Sequence, residues 1–206
     1  MGVFNFGDIF MLIKIRYGNT NTFFIKGTGA GLLVDTDFAG TLPAFYKAIK
    51  AQGIQVSDIT YLLCTHYHPD HCGLASELMA QGVKLVVMEP QLGSVHYSDP
   101  IFARMHDLEY VPVDVSKAVV LSSANSRSFL SKMGIDGEII STPSHSEDSI
   151  CVMLDEGICL AGDLEPYEYL AAYADNAALA LDWDKVLSYS PKRICYAHAN
   201  EKVMCP

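Results

Sequence analysis

Short runs of β-type residues separated by turn residues open the chain: Ile9 to Tyr17, a Gly18-Asn19 turn, Thr22 to Lys26, the stretch Gly27 to Gly31, then Leu32 to Asp35. Gly and Asn accept the backbone angles that tight reversals need, so the pattern predicts a β-meander. The spacing then changes. Leu42, Phe45 and Ile49 fall on one helical face, with Thr41 as cap, Pro43 in the first turn and Gly53 as stop. Ile59 to Cys64 is nearly all apolar, which predicts a strand buried on both faces, and it breaks into the polar run Thr65 to His71. Leu74 and Leu78 predict a helix ending near Gln81, and Lys84 to Met88 a further buried strand.

Residues 89–117 carry prolines at 90, 100 and 112 and no clean period, so an irregular segment or lid is expected there. Beyond it the pattern predicts a strand at Val119 to Leu121, a helix from Ala124 to Met133 and a strand from Gly137 to Thr142. A hairpin of Ser149 to Leu154 and Ile158 to Ala161 follows, turning at Asp155-Glu156-Gly157. A helix near Asp182 to Ser190 and a strand Arg193 to Ala197 come last. No repeat, low-complexity tract or linker interrupts 206 residues, which is the size of one large core, so residues 1–206 are expected to form a single domain. Strands preceding helices in each half, with hairpins, predict an α/β (α+β) fold of two mixed sheets covered by helices.

Charge narrows the partners. Fourteen Lys and Arg against 24 Asp and Glu give a net charge of −10, which argues against tracking a phosphate backbone. No apolar run reaches the roughly 18 residues of a membrane span, and no secretory leader pattern opens the chain. A cytoplasmic protein with a small-molecule substrate, and neither nucleic-acid nor membrane partners, is the expectation; a homo-oligomer is left open. The six cysteines, at 64, 72, 151, 159, 195 and 205, form no CxxC pair and lie mostly in apolar runs, which predicts free buried thiols.

The chemistry concentrates where a buried strand ends. His66-Tyr67-His68-Pro69-Asp70-His71 puts four metal-ligand side chains within six residues, an arrangement no packed core requires. Read as a loop, this run lets His66 and His68 point at one ion while Asp70 and His71 turn toward another. Three more candidates follow later β-type runs: His145 after Ser141-Thr142-Pro143-Ser144, Asp163 after Ala161-Gly162, and His198 after Tyr196-Ala197.

This set resembles the metallo-β-lactamase superfamily, whose HxHxDH motif is followed by a His after a strand, an Asp after Gly, and a final His. Asn19-Thr20-Asn21-Thr22, Leu33-Val34-Asp35-Thr36 and Thr142-Pro143 extend the likeness over nearly the whole chain. Ser144 and Ala197 stand where the family commonly has Gly, and Leu164-Glu165-Pro166 follows Asp163; these touch loop shape rather than ligation. The resemblance implies a four-layer αββα sandwich with two divalent metal ions, zinc first, with iron or manganese as alternatives. His66, His68 and His145 would hold one ion, Asp70, His71 and His198 the other, and Asp163 would bridge them. It further implies catalysis through Asp70 and Asp163, with a metal-bridged hydroxide attacking an ester, lactone or thioester carbonyl.

Related lactonases use a tyrosine to orient the developing oxyanion, which makes Tyr167 and Tyr169 candidate substrate contacts. His96 and His106, in the irregular segment, are candidates of the same kind, weighed against two plain surface histidines. Cys72 reads as packing at a helix start rather than as a thiolate ligand, and Glu165 and Glu168 read as solvated charges. The helical substrate domain of glyoxalase II-like thioesterases does not fit in the eight residues after His198. Two rival activities use the same residues: a non-haem iron oxidoreductase of the persulfide dioxygenase type, and a phosphodiesterase or nuclease, which the charge disfavours.

Overall fold

The computed structural model describes residues 3–5, 11–105 and 108–204. Seven strands form the first sheet in sequence order: β1 (Val3–Asn5), β2 (Met11–Arg16), β3 (Asn21–Lys26), β4 (Gly31–Val34), β5 (Tyr61–Leu63), β6 (Lys84–Met88) and β7 (Val119–Leu121). The meander β1 to β4 is antiparallel; from β4 onward the neighbours run parallel, each joined by a crossover. The second sheet has the order β12 (Lys202–Val203), β11 (Arg193–Cys195), β10 (Ile158–Leu160), β9 (Ile150–Leu154) and β8 (Gly137–Ser141), with β10 and β11 parallel and the rest antiparallel.

Strand alternation distributes the apolar side chains among three cores. Leu12 of β2 and Leu63 of β5 point between the sheets, where they meet Ile150, Val152 and Leu154 of β9. Ile13 and Ile15 of β2 and Leu62 of β5 point outward, onto Phe45 and Ile49 of α1 (Leu42–Ala51). Cys151 and Met153 of β9 point out on the far side, against Leu179, Trp183 and Val186 of α6 (Ala177–Ser188). Both sheets therefore bury both faces, giving the expected four-layer αββα sandwich. Among the described residues no helix is long and apolar enough to cross a membrane.

The differences from the sequence reading are local. The run read as a loop ends in a one-turn helix, α2 (Pro69–Cys72), which places Asp70 and His71 on helical backbone while His66 and His68 precede it. Pro69 is preset for a first helical position, and four residues are too few to show a period. The helix expected near Asp182 begins earlier, at Ala177, because the Asn176 side chain accepts the Leu179 N–H at 3.0 Å and caps it. β1 and β12 are short strands not expected from the pattern. Among the described residues of 89–117 are two single 3₁₀ turns and α4 (Asp99–Phe102), which follows α3 (Ala75–Ala80); Gln91, Val95, Ser98, Phe102 and Val113 there are buried. α5 (Ser123–Ser131) crosses from β7 to β8. Cys64, Cys72, Cys151, Cys159 and Cys195 are free and buried. His106 lies outside the described residues.

Candidate metal centre

All seven ligand-type side chains converge at one edge of the two sheets. His66 and His68 follow β5, His71 and Asp70 sit on α2, His145 lies between β8 and β9, Asp163 follows β10 and His198 follows β11. They form two groups, His66, His68, His145 and Asp163 in one and Asp70, His71 and His198 in the other, with one atom from each residue within 4.8 Å of the others in its group.

In the first group His68 Nδ1 lies 3.0 Å from His66 Nε2 and 3.1 Å from His145 Nε2. Asp163 Oδ2 stands 3.8 Å from His66 Nε2 and 3.7 Å from His145 Nε2. In the second, His198 Nε2 lies 3.2 Å from His71 Nε2 and 3.1 Å from Asp70 Oδ2. The other oxygen of Asp163, Oδ1, stands 3.3 Å from His71 Nε2 and 3.4 Å from His198 Nε2. One carboxylate thus presents one oxygen to each group.

The opposite edges of several rings are already occupied. His71 Nδ1 lies 3.0 Å from Asp35 Oδ2, His66 Nδ1 3.2 Å from Thr65 Oγ1 and His198 Nδ1 3.3 Å from the Asn19 carbonyl, which fixes the inward-facing nitrogens. Asp163 Oδ1 is buried and makes no hydrogen bond among the described residues. Four ligands at about 2.05 Å around a tetrahedral zinc ion stand about 3.3 Å apart, which matches the nitrogen and oxygen spacings here. The imidazole and carboxylate donors suit a borderline divalent cation, and the orphaned oxygen is the atom such an ion would satisfy. The residues fit the metal.

Burial, reinforced by the neighbouring His71, holds His66 neutral far below the ordinary histidine range. Burial disfavours a charge on His71 as well, yet the Asp35 and Asp163 carboxylates outweigh it and raise that histidine to about 10. Asp163 is pulled down to about 2, burial being overcome by the proximity and charge of His71 and its other histidine neighbours. His198 is raised by its hydrogen bond with Asp70.

Two features aim these groups. Gly162, with φ of 55°, turns the chain into Asp163, and a Cβ there would meet Thr65 Oγ1 at 2.6 Å. Asp35, with φ of 62°, accepts the Thr65 N–H at 2.6 Å and the Thr65 hydroxyl at 2.8 Å as well as facing His71. Its isostere should expose that role: Asp35→Asn is expected to weaken metal retention roughly 10- to 100-fold. A competition assay against a chromophoric chelator would measure it, and unchanged affinity would remove Asp35 from the centre.

The other sequence candidates separate. His96 is exposed, pairs with Asp99 at 2.8 Å and belongs to neither ligand group; its neighbour Tyr97, 59% exposed, lies with its ring 5.2 Å from that of His68. Tyr167 packs edge-on against Trp183 at 5.2 Å, whereas Tyr169 lines a cleft of about 290 Å³ together with His145, Asp163, Leu164 and His198. Glu168 pairs with Lys202, and the Glu165 carbonyl accepts the Trp183 indole N–H at 3.0 Å. Cys72 Sγ donates to the His68 carbonyl at 3.3 Å, the packing role expected of it. Asp35, Tyr97, Gln91 and Asp148 were not singled out from the sequence. Only Asp35 left a signal, a carboxylate closing an apolar strand run.

The family model described as the metallo-beta-lactamase superfamily matches residues 15–198. This chain belongs to that superfamily. The Drosophila melanogaster "Beta-lactamase-like protein 2 homolog" is 23% identical over 181 residues, 88% of this chain and 59% of that protein. "Lactamase-like protein nscB" of Arthroderma benhamiae is 30% identical over 154 residues, 70% of this chain and 29% of that protein. The chain thus spans less than two thirds of the length of these curated relatives. Among solved structures, the "peroxy diiron species of chemotaxis sensor ODP" superposes with a TM-score of 0.69 at 16% identity, covering 98% of this chain and 88% of the other, a likeness of fold.

Proposed function

We propose that this metallo-beta-lactamase-superfamily chain is a metal-dependent hydrolase that cleaves an ester, lactone or thioester bond of a small molecule. The observation that carries the reading is Asp163, whose two oxygens each face one group of ligand-type side chains beside an open cleft. His66, His68 and His145 would hold one ion and Asp70, His71 and His198 the other, with Asp163 shared; zinc is the first choice, iron or manganese the alternatives. Divalent cations held there would lower the pKa of water from about 15.7 toward 7 and polarise a carbonyl oxygen.

The chain's own residues supply the rest. Asp70 is half-buried and held below the ordinary carboxylate range by His198 and His71 against the pull of burial, which favours the ionised form that would hold a cation. Leu164, Pro166 and Tyr196 give the cleft an apolar wall, and the Tyr169 phenol offers a hydrogen bond to a carbonyl oxygen. The cleft continues into a second lobe of about 570 Å³ that includes Arg16, Asn200 and Lys202, leaving room for a substrate longer than the scissile group.

Elemental analysis of the purified protein, run beside ester, lactone, thioester and phosphodiester substrates, tests the reading. Carbonyl ester or lactone turnover in metal-loaded protein is expected. The likeness to a diiron protein supports one rival, an iron oxidoreductase; iron in the purified chain with dioxygen uptake and no hydrolysis would favour it.

Removing metal by chelation should abolish turnover and lower the unfolding midpoint. An ion bound at 100 times its dissociation constant stabilises the native state by about 2.7 kcal/mol. Zinc re-addition should restore both properties, and turnover persisting in protein of verified zero metal content would refute the proposal.

A further inference from the structure

Asp35 serves both ligand groups, facing His71 directly and His66 through the Thr65 hydroxyl, but the remaining buried polar supports of the two groups differ. On the side of Asp70, His71 and His198, Asp37 Oδ2 accepts the backbone N–H groups of Asn19 at 2.6 Å and Thr20 at 3.2 Å. The Thr20 hydroxyl donates to the Asp70 carbonyl at 2.7 Å, and Asn21 Nδ2 donates to the Tyr196 carbonyl at 2.9 Å, beside His198. Asp35 holds His71 directly.

The first group has another support. Tyr67, between His66 and His68, donates its N–H to Asp148 Oδ2 at 2.7 Å. Ser146, next to His145, donates its hydroxyl to Asp148 Oδ1 at 2.8 Å. One carboxylate, 6% exposed, therefore ties the two histidine-bearing loops together. Gln91, fully buried, braces it from below: its Nε2 donates to the carbonyls of Cys64 at 2.9 Å and Asp148 at 3.1 Å, with the Thr65 carbonyl at 3.3 Å. Its Oε1 accepts the Met88 N–H at 3.1 Å. Charge-assisted bonds from backbone N–H groups to a buried carboxylate are short, strong and directional, and so suited to setting the distance between two loops.

We propose that Asp148 and Gln91 are positioning residues for the first group, fixing the spacing between the His66–His68 loop and His145, while Asp37 and Asn21 serve the second group and Asp35 braces both. The inference rests on the seven side chains being metal ligands. Asp148→Asn keeps the volume but replaces two charge-assisted acceptors by one neutral oxygen and an NH₂ that Ser146 can meet only by reversing its hydroxyl, which weakens the tie between the loops.

The experiment measures zinc and cobalt(II) affinity and cobalt absorption in backgrounds that isolate each group. In His198→Ala, where the first group carries the binding, adding D148N is expected to weaken affinity roughly 10- to 100-fold and to change the cobalt spectrum. In His145→Ala, where the second group carries it, adding D148N is expected to change neither. Equal losses in both backgrounds, or no loss in either, would overturn the proposal. Absence of metal binding in the unsubstituted protein would instead overturn the reading of the centre, so the two failures are distinguishable. Circular dichroism checks folding, and S146A, which removes the hydroxyl's contacts with Asp148 and Ser149 but leaves the Tyr67 bond to Asp148, repeats the comparison with the same expected selectivity if D148N does not fold.

Discussion

Replacing Asp163 with alanine is expected to leave a folded chain that holds less metal and loses more than about 100-fold in kcat/KM, beyond the loss that partners behind a metal ligand typically produce. The reason is the arrangement of its oxygens. Oδ2 faces His66 and His145, and Oδ1 faces His71 and His198, so one truncation withdraws a ligand from both groups. It also leaves three inward-facing imidazoles of the first group with no carboxylate among them. Elemental analysis and turnover of the best substrate from the panel provide the measurement. Full metal content with near-normal hydrolysis would refute the shared-ligand reading.

The largest expected effect on stability comes from Trp183, the one tryptophan in the chain. It is fully buried in the outer core of the second sheet among Leu179, Val186 and Ile194, it packs edge-on against Tyr167, and its indole N–H donates to the Glu165 carbonyl. Trp183→Ala should cost about 3 to 5 kcal/mol through lost burial and the cavity left behind. For a chain of this size that lowers the unfolding midpoint by on the order of 10 °C. Because Glu165 lies two residues past Asp163, the substitution should also loosen the wall of the cleft and raise KM. A midpoint within about 2 °C of the unsubstituted protein would show that the indole contributes little.

The elements most legible in the sequence are those with a sustained period. Leu42, Phe45 and Ile49 define α1, and the apolar runs at Leu62-Leu63 and Lys84 to Met88 define strands buried on both faces, because burial imposes its spacing directly on the residues. The ligand-type side chains were legible for a different reason: four of them are packed into His66 to His71, and the other three each follow a strand. What supports them was not. Asp35 meets Thr65 across 30 residues, Gln91 meets Asp148 across 57, and Asp148 meets Tyr67 across 81. A buried Gln or Asp at such separations looks like any polar residue in a loop until the fold closes over it. The single turn α2 leaves no pattern in the sequence, because Pro69 and Asp70 are as much at home in a loop as in a first helical turn.

The wide separation of the contributors has a kinetic consequence. His68 and His145 are brought together across 77 residues, whereas His71 meets His198 across 127 and Asn21 reaches the Tyr196 carbonyl across 175. Closing loops of that length costs entropy before any contact repays it, and contacts so distant along the chain slow folding. The last stretch of chain, carrying β11 and His198, pairs with β10 and bonds back to Asn21 near the start. The second ligand group is therefore complete only once β11 has paired with β10 and met Asn21, so any ion it holds would be captured after the two sheets have closed on each other.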